Sequence, residues 1–381
     1  MATKRLTILL AIALLIKLTL FVYANSYAPQ AKFQVDTQQY LDLGFTLVSQ
    51  GAFATPAPGG HLVYQYFRTP GYPLFLGILH GILKIPFGGI IIIQILLTIG
   101  SAFMVYQTGR KIDERIGPLA FFIILFDPAI TIFSLMLLTE SLYLFGMSGF
   151  LFMFISYLKV RNKRYLCLSA LFLTAATFVR PISYFLGIAI AIFILYVSWP
   201  SNIKKGLAHG CLFLFIVYGL FFCWQGRNYQ RFANFKFSDI QRATTQKEGL
   251  YKSYQRNKDP YTQNLPPIPY YLNVTSRSLM SLFTRPASMK YFGSPLLKSL
   301  GKLFSYPWIL FWISGFLFSL SKIEKSLYYQ FLAVIVFYFI MATIGGALWG
   351  SGARFRVPMM PPIALMASYG WLKLQNLLEK D

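Results

Sequence analysis

Asp36 lies in Val35-Asp36-Thr37-Gln38-Gln39-Tyr40, just beyond the first apolar segment of the chain. A carboxylate outside the bilayer but close to its surface could accept a proton. It stands out because acids are scarce: 12 Asp and Glu oppose 35 Lys and Arg over 381 residues. The same stretch has the pattern of a capping box, with Asp36 as N-cap and Gln39 at the third helical position. Tyr40, Leu43, Leu47 and Val48 follow at helical spacing, and Gly51 supplies a stop. Two readings stay open. Asp36 caps a short amphipathic helix on the membrane surface, or that helix N-terminus keeps Asp36 ionised for work as a general base.

Further polar motifs sit at the ends of apolar segments. Phe67-Arg68-Thr69-Pro70-Gly71-Tyr72-Pro73 is a dense turn where the chain re-enters the membrane. Arg68 is there either an interfacial anchor or a partner for Asp36. Glu140 in Thr139-Glu140-Ser141, Arg180 before Pro181, Arg227 and Asn228 after Trp224, and Arg354 with Arg356 before Pro358 complete the set. Ionisable groups bordering apolar runs are functional candidates. Several cations facing a carboxylate suit a phosphate-bearing, membrane-embedded substrate.

The elements that must position these residues are membrane helices. The chain is 56% hydrophobic with a mean hydropathy of +0.54, well above soluble domains. Apolar runs of about 18–20 residues recur, each long enough to cross a hydrocarbon core of about 30 Å. The alternating segments of a membrane β-barrel are absent. The expected fold is an all-α polytopic membrane protein of about 10–11 spans, with short juxtamembrane helices in its external loops. The expected helices are 6–24, 89–107, 117–134, 137–158, 165–180, 182–199, 206–224, 304–321, 326–345 and 357–374.

Basic connections at Gly109-Arg110-Lys111, Lys159 to Arg164, Lys204-Lys205 and Lys322 to Lys325 mark the cytoplasmic side. The N-terminus, basic over Met1 to Arg5, joins them there as a retained anchor. Parity then makes 70–84 a re-entrant or partly inserted segment. Loops 25–69 and 225–303 fall outside. The second is strongly basic, and its Asn264 to Tyr271 stretch reads as irregular. The organisation is a catalytic membrane module over 1–224, the basic loop over 225–303, and C-terminal helices over 304–381.

The formal charge of +23 is explained by loop cations, and nothing resembles a nucleic-acid module. Cys167, Cys211 and Cys223 read as small buried hydrophobes, without disulfide or metal spacing. His61, His80 and His209 do not pair.

The order of motifs resembles the bacterial GT-C glycosyltransferases, in the branch with protein O-mannosyltransferases, lipid A aminoarabinose transferases and rhizobial lipopolysaccharide transferases. The matching stretches are Asp36-x-x-x-Tyr40 with Gly51, Arg68-Thr-Pro-Gly-Tyr-Pro73, Leu138-Thr-Glu140, Arg180-Pro181, Trp224-x-x-Arg227-Asn228 and Arg354-x-Arg356-x-Pro358. The resemblance implies a polyprenyl-phosphate sugar donor, a glycan, lipid or protein acceptor of the cell envelope, and a bacterial inner-membrane setting with an extracytoplasmic site. It carries the catalytic base onto Asp36 and donor-phosphate contacts onto Arg68, Arg227 and Arg354 or Arg356. Many relatives have two adjacent acids in the first loop, whereas here the next acid is Asp42, on another face of the helix. No cofactor and no obligatory divalent ion are therefore expected. The rival classes are a transporter or flippase for lipid-linked saccharides, and a periplasmic polymerase or ligase acting on pyrophosphate-linked glycans. Charges gathered on one face, without repeated halves, count against the transporter.

Overall fold

The structure is a computed structural model, describing residues 2–199, 202–239, 267–284, 295–320, 326–343 and 352–379. Helix α1 runs Ala2–Tyr27, and α2, Thr37–Gln50, lies across the bundle end. A hairpin, β1 Ala54–Pro56 with β2 Leu62–Tyr64, pairs Ala54 with Tyr64 and Pro56 with Leu62. The Pro and Gly content of 51–61 signals turns, but two three-residue strands are too short to leave an alternating pattern.

Helix α3, Gly71–Leu76, continues as a π-helical stretch over Gly77–Ile82. At twelve residues the pair is too short to span, as the charge parity of the loops requires. The helices that follow are α4 Phe87–Ile112, α5 Ile116–Phe126, α6 Pro128–Ser134, α7 Glu140–Val160, α8 Lys163–Val179, α9 Leu186–Ser198 and α10 Ile203–Phe232. Further along the chain come α11 Pro267–Thr284, α12 Pro295–Leu320, α13 Leu327–Thr343, α14 Gly352–Arg356 and α15 Met360–Leu378.

Among the described residues, six helices are long and apolar enough to cross a membrane, and the bent pair α5–α6 would make a seventh. The protein is thus a multi-pass membrane protein. Helix α7 is its axis, since three quarters of its apolar window is buried inside the fold, against a tenth for the lipid-facing α1. Packing of α7 on α8 and α4, and of α15 on α12 and α5, builds one continuous core.

Several expectations need correction. The single helix 117–134 is two helices bent by 49°. Asp127 and Pro128 cause the break: Pro128 carries no N–H, and the Asp127 carboxylate caps the new helix at Ile130 N–H. Helix α10 runs eight residues past its expected end at 224, so Arg227 and Asn228 ride on its last turns. Residues 267–271 are helical, whereas 264–266 and the basic connection 322–325 lie outside the described residues. The cysteines are not buried: Cys211 and Cys223 are exposed and Cys167 is intermediate, which lipid contact makes costless for a small apolar side chain.

Gly51 ends α2 in the left-handed conformation (φ 66°), which suits glycine. Gly44 and Gly77 let α2 approach the re-entrant segment backbone to backbone, and a Cβ on either would meet main-chain atoms of the other segment.

Candidate active site

The carboxylate of Asp36 does not cap α2, whose first turn receives no side-chain cap. Thr37 does the local work instead. Its hydroxyl accepts from Gln34 N–H and donates to Leu137 O, tying the start of α2 to the loop before α7. Leu137 N–H returns a bond to Lys32 O at 2.9 Å. Asp36 is thereby left free to face the cavity, and two guanidiniums take it. Arg68 Nη2 donates to Oδ1 at 2.6 Å and Arg354 Nη1 to Oδ2 at 2.8 Å.

Arg68 is fixed on all sides. Its Nε donates to Gln39 Oε1 at 2.8 Å, its Nη1 to the Tyr40 hydroxyl at 3.2 Å, and its plane stacks on the Tyr40 ring. Gln39 and Tyr40 come from the first turn of α2, so that turn holds the Arg68 guanidinium against the Asp36 carboxylate. Tyr40 packs edge-on against Tyr72, whose hydroxyl donates to Gln94. Buried Gln94 then holds the carbonyls of Ser134 and Met136, completing a polar wall behind the cavity.

Glu140 is the second carboxylate, 1% exposed at the start of α7. Arg180 Nη1 donates to its Oε1 at 2.8 Å, and Arg354 Nε donates to the same oxygen. A carboxylate so enclosed keeps its charge only with ionic partners. Arg354 therefore bridges both acids with one planar fork, a geometry that lysine cannot supply.

Burial raises the Asp36 carboxyl, but the Arg354 and Arg68 guanidiniums outweigh it and hold the group below the usual carboxylate range. Desolvation works against the Arg354 charge, yet Glu140, Tyr40 and Asp36 raise it overall, so its cation is secure. Burial pushes the Tyr40 phenol up, which keeps it a neutral hydrogen-bonding group.

Asp36, Tyr40, Arg68, Thr69, Thr139, Arg180 and Arg354 line a cavity of about 230 Å³. Val179 lines both this cavity and a lipid-facing slot of about 750 Å³ between α3, α7, α8 and α10. The slot is lined almost entirely by apolar surface, with Arg227 as its one charged lining residue. Val179 thus borders both a polar chamber and an apolar slot.

Three of the sequence candidates lie elsewhere. Arg227 donates to the carbonyls of Gln65 and Phe53 and to Asn228 Oδ1, with Trp224 and Phe232 against its plane. Asn228 in turn holds Lys236 O. Arg227 thus clasps the flanks of the hairpin to α10, and Asn228 secures the chain that follows α10. Arg356 is 1% exposed, stacks on Trp308 and donates to the carbonyls of Leu282 and Phe283 at the end of α11. Arg354 and Arg356 diverge because positions i and i+2 of a helix face nearly opposite ways. Asp42 bonds Gln38 on the outer side of α2, away from Asp36.

The sequence reading missed Thr37, Gln39, Tyr72 and Gln94, neutral groups whose roles depend on tertiary partners. It also missed Lys17 and Asp127, for which a signal exists: each is an ionisable residue within an apolar run.

The fold is that of the GT-C superfamily of membrane glycosyltransferases. Residues 68–224, less than half of the chain, match the family model described as dolichyl-phosphate-mannose-protein mannosyltransferase. Among solved structures, the Archaeoglobus fulgidus oligosaccharyltransferase tethered to an acceptor peptide aligns over 95% of this chain and 50% of its own, with a TM-score of 0.57 at 14% identity. The oligosaccharyltransferase AglB of the same organism, in complex with an inhibitory peptide and a dolichol-phosphate, aligns over 96% and 51%, with a TM-score of 0.54 at 14% identity. ArnT from Cupriavidus metallidurans bound to undecaprenyl phosphate aligns over 97% and 60%, with a TM-score of 0.56 at 13% identity. The chain thus spans about half to three fifths of these structures. Comparison with curated proteins gives no match.

Proposed function

We propose that the protein is an inverting glycosyltransferase that moves a sugar from a polyprenyl-phosphate donor to an acceptor hydroxyl on the extracytoplasmic face, with Asp36 as general base. The observation that carries this reading is the composition of the chamber. Arg68, Arg180 and Arg354 face Asp36 and Glu140, an excess of one positive charge among the described residues. A sugar phosphodiester carries one negative charge, so it neutralises the chamber. A pyrophosphate-linked glycan would overfill it, which disfavours the polymerase or ligase alternative. The apolar slot meeting the chamber at Val179 offers a bed for a prenyl chain.

In the reaction, the acceptor oxygen bonds to the anomeric carbon as the bond from that carbon to the phosphate oxygen breaks. The bonding pair leaves on the phosphate, whose charge grows from one to two, and the hydroxyl proton goes to Asp36. Guanidiniums held in place stabilise that growing charge without reorganisation. A carboxylate bonded to two arginines is a weak base. Donor phosphate competes for the same guanidiniums, so its arrival loosens them from Asp36 and raises the basicity of the carboxylate when a proton must be taken. Arg68 and Arg354 would make the phosphate contacts, with Arg180 holding Glu140.

The residues present do not fit a divalent ion, because three guanidiniums already surround the two carboxylates. The outer-face assignment follows charge: Lys159 reaches Lys111 O, gathering basic helix ends at the pole opposite Asp36. That placement fits a bacterial inner-membrane enzyme acting on envelope acceptors.

The test is transfer by purified protein from a polyprenyl-phosphate sugar to a membrane acceptor, comparing wild type with Asp36→Asn. Undiminished transfer by the variant overturns the assignment of the base.

A further inference from the structure

A second pocket, of about 220 Å³, borders α2 and shares no lining residue with the chamber. Asp42, Phe45 and Thr46 of α2 form one wall. Gly77, His80 and Gly81 of the π-helical stretch form another, with Phe87 beside them. Phe87 stacks on the His80 imidazole, ring centroids 4.2 Å apart.

The hydrogen bonds already made around this pocket define what can enter it. Asp42 Oδ1 accepts from Gln38 Nε2 at 2.8 Å, and Oδ2 has no hydrogen-bond partner among the described residues. His80 Nδ1 lies 3.0 Å from Ile85 O. A carbonyl only accepts, so Nδ1 carries the proton and Nε2 of the neutral ring is an acceptor. Nε2 likewise has no partner among the described residues. The Thr46 hydroxyl is taken up by main-chain carbonyls, those of Asp42 and Ala54 among them. The lining side chains thus present open acceptors and no open donor. A phosphate diester, which only accepts, finds nothing to bind here. The occupant must donate at more than one point and lay an apolar face on Phe45 and Phe87. A pyranose does both, through its hydroxyls and its ring C–H groups. An ammonium also donates, but the proposed reaction consumes a hydroxyl and so selects the sugar.

The position of the pocket suits an acceptor. Gln38 and Asp42 stand one turn apart on the same face of α2, and Gln38 is exposed two residues from Asp36. A polar row therefore runs from the pocket to the end of the helix that carries the proposed base. From Asp42 back to Asp36 is about 9 Å along the axis. That exceeds one sugar ring, so a ring seated on Asp42 is not the one whose hydroxyl reaches Asp36.

We propose that this pocket is a subsite for a glycan acceptor of at least two sugars. Asp42 and His80 accept hydroxyls of one ring, Phe45 and Phe87 flank it, and the next ring carries the hydroxyl to Asp36. The acceptor role rests on the transferase reading, whereas sugar binding at Asp42 does not.

The experiment uses the full chain in lipid nanodiscs and saturation-transfer NMR. The probes are methyl glycosides of common hexoses and of their disaccharides, with ethanolamine and inorganic phosphate beside them. At least one disaccharide glycoside is expected to gain saturation from the wild type and from Asp36→Asn, and at least tenfold less from Asp42→Leu and Phe45→Ala. Phe45 is exposed, so its loss leaves the fold and the melting temperature intact. For transfer to that disaccharide, both pocket variants should raise KM at least tenfold at unchanged kcat, while slow hydrolysis of the donor keeps its wild-type rate. Saturation of no disaccharide, equal saturation in Asp42→Leu and Phe45→Ala, or its loss in Asp36→Asn overturns the proposal. Saturation of ethanolamine or phosphate in place of any sugar overturns it as well. If Asp36→Asn proves fully active but saturation depends on Asp42 and Phe45 as stated, the assigned base fails and the sugar site stands.

Discussion

Arg354 and Arg356 stand two positions apart on one short helix and serve opposite sides of it. Arg354 bridges Asp36 and Glu140 in the chamber, while Arg356 grips the end of α11. The spacing of two separates chemistry from anchorage, and each arginine should respond differently to substitution.

Asp36→Asn should lower the turnover rate by about 10²–10⁴-fold, the range for losing a positioned base. Donor affinity should hold or improve, because the amide releases Arg68 and Arg354 for phosphate. Single-turnover transfer alongside equilibrium binding of a polyprenyl-phosphate sugar separates the two effects.

Acid should expose Asp36 in two ways. Its folded pKa lies below the unfolded value, so the stability it contributes is complete above about 3.9 and is lost as pH falls through the folded value. The acid limb of kcat/KM, which reports the free enzyme, should therefore lie below the ordinary carboxylate range. The acid limb of kcat should lie at higher pH, since bound phosphate draws the arginines away. Coincident limbs would contradict substrate-triggered basicity.

Arg354→Lys should be poorly tolerated although it conserves charge, because an ammonium cannot replace a fork bonded to two separate carboxylates. Arg354→Ala leaves buried Glu140 with Arg180 alone, and breaking such a pair costs about 3–5 kcal/mol. Donor binding should weaken in both variants, with the larger loss of thermal stability in the alanine form.

Arg227→Lys should act through the hairpin. Its backbone clasp on Gln65 and Phe53 predicts a lower melting temperature, with affinity for a short-chain donor that does not fill the slot changed less than about twofold, as for a residue outside the phosphate contacts. A loss of donor affinity without destabilisation would return Arg227 to the phosphate site.

Cys223→Trp tests the slot, since Cys223 is exposed on its wall. Filling that space should raise KM for a long-chain donor at least tenfold. KM for a short-chain, water-soluble analogue should stay at the wild-type value.

Much of the chamber was readable from the chain because its charged members sit at the ends of apolar segments. Asp36, Arg68, Glu140, Arg180 and Arg354 are all of this kind, and the structure brings them together. Arg227 and Arg356 share the same signal, yet their guanidiniums hold backbone carbonyls, a distinction that residue type does not encode. The capping-box pattern at Asp36 misled because it is a local rule. Two arginines from distant positions outbid the α2 amides for the carboxylate, and Thr37 turned to Leu137. Lys17 and Asp127 were passed over inside apolar runs, where their partners come from another helix. The bend had its signal in Asp127-Pro128, but the apolar runs on either side together have the length of one span.

The clasp of Arg227 on the hairpin has one more consequence. Ser238 and Asp239 bond the carbonyls of Phe67 and Tyr66, so α10 and the chain just after it grip the strand of backbone that leads directly into Arg68. Arg68 is therefore presented by a backbone pinned on the side of α10 before any substrate arrives. If the proposed donor binds here, its phosphate would meet a guanidinium of set direction, so the grip would select orientation as well as charge.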